Sequence, residues 1–117
     1  MDMKLFVYGT LKKMLKSMGA EYLGDYETSR RWVLADLGPF PGMISGEGVV
    51  KGQVWEIPAD LLPQLDSYEG HPNLFIRRAI EVRPTGSDSR FYDWVDTYLY
   101  NSASGLLNVK TCTSWGE

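Results

Sequence analysis

The sequence predicts an α+β fold in which a mixed or antiparallel, barrel-like β-sheet is completed by one or two short helices. Three observations predict it. Four Trp, seven Tyr and four Phe in 117 residues favour a strand-rich interior. Apolar runs are short, several alternate with period two, and they are separated by segments rich in Gly, Pro, Ser and Asp. Helix signals are confined to two brief stretches. A chain of this length holds one core, so residues 1–117 are expected to form a single domain with any site built from one small fold.

Taken in order, "KLFVYG" is a run of β-formers stopped by Gly9, a buried strand entering a turn. "TLKKMLKSMG" after it is a turn or a short irregular helix. "RRWVLADLG", with Trp32, Leu34 and Asp36 on alternate positions, reads as the second strand, and "GPFPGM" as loop. "VVKGQVWEI" is the third strand, where Gly52 marks a bulge or a close backbone approach. "PADLLPQLDSYEG" is a helix with Asp60 as N-cap, Pro63 in the first turn, Leu61, Leu62 and Leu65 inward, and Gly70 at its end. "FIRRAIEVRP" and "WVDTYLYN", joined by the turn-rich "PTGSDSRFYD", form an antiparallel hairpin.

The totals exclude several functions. Twelve basic and fifteen acidic residues give a net charge of −3, with the basic ones scattered, so nucleic acid is not an expected partner. No apolar run approaches membrane-span length, so neither is a membrane. "MDMKLFVYGT" lacks a secretory pattern and the lone Cys112 has no internal disulfide partner, which predicts the reducing cytoplasm. The strands and helix claim every apolar stripe, so a monomer is expected.

Candidate chemistry narrows quickly. His71, the only histidine, has no cluster of metal ligands around it in sequence. "SGEGVVKG" lacks the ending of a phosphate loop, "GMISG" places Ser45 one residue late for a nucleophile elbow, and Cys112 is a packing residue in the core or at the surface. "QLDSYEGHPNLFIRR" is different. Glu69 falls at a helix C-terminus, where the macrodipole and the like charge of Asp66 three residues earlier raise its pKa, and burial under "GHPNLF" acts in the same direction. On local sequence alone, the favoured reading is an exposed glutamate paired with Arg77 or Arg78.

Two separated segments then agree. Tyr8-Gly9-Thr10-Leu11 after the first strand, and Glu69-Gly70-His71-Pro72 followed by Phe75 and Arg77, resemble the γ-glutamylcyclotransferase-like (AIG2-like) family, and most nearly its small γ-glutamylamine cyclotransferase branch. "GAEYLGDYET", similar to the family's second-strand segment, "FPGM" and "GQVWEI" fall between them, carrying the resemblance from about Leu5 to Tyr100.

The resemblance implies the family's barrel-like fold and a reaction in which a small γ-glutamyl amide closes on itself, releasing 5-oxoproline and an amine or amino acid. It implies Glu69 as general acid/base, and Tyr8, Gly9, Thr10, Leu11, Phe75 and Arg77 as substrate-binding residues, with no metal and no cofactor. A non-catalytic small-ligand-binding module of the same fold is the alternative expectation. Met14 stands where the family often has glycine and Phe75 where it usually has tyrosine, and both positions bear on substrate preference.

Overall fold

Strand β1 (Asp2–Val7) is formed by the apolar run that opens the chain. Its alternation serves two cores: Leu5 and Val7 join one buried cluster, and Phe6 between them joins the other. The structure, a computed structural model, describes residues 2–9, 11–88, 90–101 and 110–115. After the turn at Tyr8 and Gly9 the chain forms helix α1 (Leu11–Ser17), so the segment left open between turn and helix is helical. Leu11 and Leu15, four apart, bury its inner face.

Strands β2 (Glu21–Thr28), β3 (Trp32–Asp36), β4 (Pro41–Ser45) and β5 (Lys51–Pro58) follow. The strand counted second from periodicity is therefore the third. β4 overturns the reading of "GPFPGM" as loop alone: Pro41, Gly42 and Met43 belong to a strand that pairs with all five residues of β3. Gly52 marks a close approach, since a Cβ there would run into the Val7 carbonyl and the Phe6 ring. The sheet irregularity lies instead in β2, between Tyr22 and Gly24.

A 3-10 turn (Ala59–Leu61) leads into helix α2 (Leu62–Glu69). Asp60 is not the N-cap. It lies inside the 3-10 turn, and Leu61 precedes α2 without a side-chain cap. Pro63 does occupy the first turn and Leu65 is fully buried among residues of β1, β5, β6 and β7. Leu65→Ala is expected to cost about 2–5 kcal/mol, read as a lower urea midpoint at unchanged m-value.

β6 (Phe75–Pro84) and β7 (Asp93–Tyr100) form the expected hairpin, in register from Phe75 opposite Tyr100 to Val82 opposite Asp93. The two-residue strand β8 (Thr111–Cys112), too short to show a periodic pattern, pairs with β3. Phe91 and Trp94 are 85% and 69% exposed, so apolar surface remains outside the core at this hairpin.

The sheet order is β1-β5-β2-β6-β7-β4-β3-β8, and a further parallel contact between Leu5 of β1 and Asp96 of β7 closes the first five strands into a ring. This is a mixed, barrel-like α+β architecture with two short helices. β4 meets the same edge of β7 farther along, at Met43 opposite Leu99. β1 and β4 thus part company on that edge, and side-chain hydroxyls span the fork. Thr97 donates to the Phe6 carbonyl at 2.8 Å. Tyr8 donates to the Tyr98 carbonyl and accepts from the Met43 N–H at 3.1 Å. Among the described residues no helix is long and apolar enough to cross a membrane.

Candidate active site

α2 stops where it does because Gly70 takes a left-handed conformation, φ 68°, that a side chain would strain. The N–H groups of Gly70 and His71 return to the carbonyls of the helix's last turn. The loop then doubles back: the Leu74 N–H reaches the Gly70 carbonyl at 2.8 Å, and the Asn101 N–H reaches the Leu74 carbonyl at 3.0 Å. His71 is half-buried. Its Nδ1 accepts the Arg77 N–H at 3.1 Å, pinning the loop to β6.

Glu69 is left facing a cavity of about 130 Å³ at the β1–β4 fork. Residues 6–9 and Leu11 come from β1 and the turn behind it, Phe40 and Pro41 from the start of β4, Tyr68 and Glu69 from α2, Leu74 and Phe75 from the loop and β6, and Tyr98 from β7. Gly9 is required by packing: a Cβ there would sit 2.9 Å from Pro41 Cγ and 3.0 Å from Cδ, on a ring with little freedom to yield. Phe75, 4% exposed, is fixed between the rings of Phe40 and Tyr100 at centroid distances of 6.0 and 5.7 Å.

Burial pushes the Glu69 carboxyl up from its ordinary value of 4.5 to about 7. This cause differs in part from the sequence reading, which also invoked repulsion by Asp66. The Asp66 carboxylate is already engaged: Arg77 donates to both its oxygens at 3.0 and 3.3 Å, and Tyr98 donates at 2.6 Å. Burial raises the Asp66 pKa, but the Arg77 and Tyr98 hydrogen bonds and nearby positive charge outweigh it, holding Asp66 below its usual range. Tyr8 and Tyr98 are both pushed up, chiefly by burial, and so remain neutral donors.

Of the residues singled out in the sequence, Tyr8, Gly9, Leu11, Glu69 and Phe75 line one cavity. Thr10 lies outside the described residues. Arg77 is a correction to the expected substrate-binding set: it does not line the cavity, because Asp66 and Asp96 take its guanidinium, Asp96 at 3.2 Å. The expected Glu69–arginine pair is replaced by this clamp between α2 and the hairpin. Tyr98, Phe40, Pro41, Tyr68 and Leu74 were missed. Alternation in "WVDTYLYN" places Tyr98 on one strand face, but closure of the ring decides that this face meets the cleft.

The clamp is partly exposed, so its contribution is modest. In a double-mutant cycle of Asp66→Ala and Arg77→Ala, a coupling of about 1 kcal/mol is expected from urea unfolding at pH 7. Because the folded pKa of Asp66 is lowered, this coupling is complete above the unfolded pKa and shrinks as pH falls through the folded value. A coupling that stayed constant down to pH 2 would contradict the ion pair.

Comparison with known proteins agrees with this architecture. The family model described as "Gamma-glutamyl cyclotransferase, AIG2-like" matches residues 5–116. A candidate γ-glutamylcyclotransferase of Vibrio cholerae is 31% identical over 115 residues, covering 95% of this chain and 93% of that protein. The γ-glutamylcyclotransferase family protein YtfP of Escherichia coli is 33% identical over 89 residues, 73% of this chain and 77% of that one. The crystal structure of a mouse AIG2-like protein superposes with a TM-score of 0.80 at 23% identity, covering 98% of this chain and 88% of that chain. The chain belongs to the γ-glutamylcyclotransferase, AIG2-like family.

Proposed function

We propose that the protein is a cyclotransferase acting on a small γ-glutamyl amide of the γ-glutamylamine type, with Glu69 as the general acid/base. The observation that carries the reading is the Glu69 carboxyl itself, raised to about 7 by burial in the cavity it shares with the turn after β1.

In the reaction, the α-amine nitrogen of the glutamyl group attacks its own γ-carbonyl carbon. The bond from that carbon to the amide nitrogen breaks, the electron pair leaving with the nitrogen. The proton lost by the attacking amine is taken by Glu69 and given to the departing nitrogen. The products are 5-oxoproline and a free amine, and no water is consumed.

Each requirement has a counterpart in the cleft. Folding the glutamyl chain into a near-attack shape is worth on the order of 7–11 kcal/mol, and a cavity this small favours the folded form. A base near 7 takes the amine proton with much less of an uphill step than a base at 4.5 would face. The backbone N–H groups where β1 turns into α1, at Gly9 and Leu11, serve the α-carboxylate and the developing oxyanion. Phe75 and Phe40 supply the apolar wall that keeps Glu69 protonatable.

The test is incubation with γ-glutamyl amines, γ-glutamyl amino acids and glutathione, with 5-oxoproline as the readout. Product from a γ-glutamylamine supports the reading. Saturable binding without 5-oxoproline from any member shows a ligand-binding module instead.

A further inference from the structure

A second concavity lies at the other end of α1. Leu11 opens that helix on the catalytic cavity, whereas Lys16 in its last turn borders a groove of about 560 Å³ over β2 and β5, and no residue lines both. Small-molecule sites usually measure about 300–1,000 Å³, so the groove has room for a ligand. Its wall is an aromatic corner, where the rings of Tyr22 and Trp55 meet at 5.5 Å and 59°. Both are held at their polar ends. Tyr22 donates its phenol proton to Asp25 at 2.6 Å, and the Trp55 indole N–H is given to Gln53 at 2.9 Å. Trp55 is buried, but Tyr22 keeps 47% of its surface exposed even though its ring and hydroxyl are both engaged. Such a ring offers an apolar face at little ordering cost.

The groove also carries one charge of each sign. Lys16 and Glu21 are both exposed, and among the described residues neither has an ion-pair partner. Glu21 stands opposite Glu56 in the β2–β5 register, while Lys4 stands opposite Glu56 on its other side. Like charges directly opposite in a sheet are destabilising, so an ammonium brought to Glu21 relieves a strain the sheet already bears. A matching ligand has a flat apolar body with a cation at one end and an anion at the other. Because Lys16 and Glu21 do not pair with each other, the ligand's charges must be spaced apart, as the termini of a dipeptide are and the two groups of a single α-amino acid are not.

We propose that this groove is a second binding site, for a dipeptide with an aromatic side chain and both termini free. The aromatic ring packs against Tyr22 and Trp55, the ammonium goes to Glu21 and the carboxylate to Lys16. No bond is made or broken there, and the site is independent of the reaction assigned to Glu69.

The experiment titrates the ¹⁵N-labelled protein with phenylalanylglycine and follows the Trp55 indole N–H by NMR, its signal identified by its loss in Trp55→Phe. A saturable shift is expected with Kd about 0.1–1 mM, the usual affinity per atom for a ligand of this size. Alanylglycine, which lacks the ring, is expected to bind at least about tenfold more weakly. N-acetyl-phenylalanylglycine and phenylalanylglycinamide, each missing one charge, are expected to bind about two- to fivefold more weakly, the worth of an exposed ion pair. In Glu21→Gln the acetylated and free peptides bind alike, and in Lys16→Gln the amide and free peptides do. Both substitutions are at exposed positions and leave the fold intact. No saturable shift at Trp55, or equal binding of all four peptides, overturns the proposal. Shifts at the Gly9 and Leu11 amides with none at Trp55 would put the peptide in the catalytic cavity and overturn it equally.

Discussion

Glu69→Gln is expected to lower kcat/KM for cyclisation by about 10²–10⁴-fold, the usual worth of a positioned proton carrier. The substitution keeps the volume and removes the charge, so the cavity should persist. In the parent protein the acid limb of kcat/KM should bend near pH 7, because the base is active only when deprotonated and burial has raised its pKa to about 7. Stability should move oppositely. A carboxyl whose folded pKa lies above its unfolded value leaves the folded state at its best below about 4.5, and costs progressively more as pH rises to about 7. Glu69→Gln is therefore expected to match the parent in urea midpoint at pH 4 and to exceed it at pH 8. Equal turnover by parent and variant would remove Glu69 from the mechanism, and a parent acid limb near pH 4 would contradict its burial.

Gly9→Ala should have the second largest effect. The added methyl must share space with the Pro41 ring, at distances of 2.9–3.0 Å that real Cβ contacts do not show, so β1 and β4 have to separate or the turn has to shift. Overpacking of this kind costs about 1–3 kcal/mol. The same displacement moves the N–H groups at Gly9 and Leu11 relative to Glu69, and a misplacement approaching 1 Å can cost about 10²-fold in rate. A loss in kcat exceeding that expected from the unfolded fraction at the assay temperature is the predicted signature. A variant with parental kcat and an unchanged melting temperature would show that the fork tolerates widening.

Much of the architecture is written locally in the chain. The alternation in "FIRRAIEVRP" and "WVDTYLYN" specifies the β6–β7 hairpin because each strand has one face on a core. Gly70 announces the end of α2 through the conformation that only such a residue adopts comfortably. β4 was not legible in this way. "PGMIS" has the composition of a loop and becomes a strand because the edge of β7 beyond β1 and the length of β3 both offer partners. Asp60 has the right residue type for a cap, yet the 3-10 turn before α2 occupies the place where capping would occur.

The site divides similarly. Tyr8, Gly9, Leu11, Glu69 and Phe75 were legible because two short motifs carry them, each motif sitting where a strand or helix ends. Arg77 was misplaced for a physical reason: period two puts it on the same face of β6 as Phe75, but farther along the strand than the cavity reaches. In β6 that face meets Asp66 from α2 and Asp96 from β7, and an arginine between two carboxylates is held there. The lining residues Tyr68 and Leu74 carry no motif, and the loop's return to Gly70 is what brings Leu74 beside the end of α2.

Tyr8 gives the fork a further meaning. A sheet opened along one edge normally strands amides and carbonyls that water or new strands must satisfy. Here a phenol reaches across, taking the Met43 amide with its lone pair and giving its proton to the Tyr98 carbonyl. The aromatic ring is a rigid spacer, and its length sets how far apart the diverging strands stand. The width of the cleft is thus gauged by a side chain from the turn that ends β1, and is built into the fold itself.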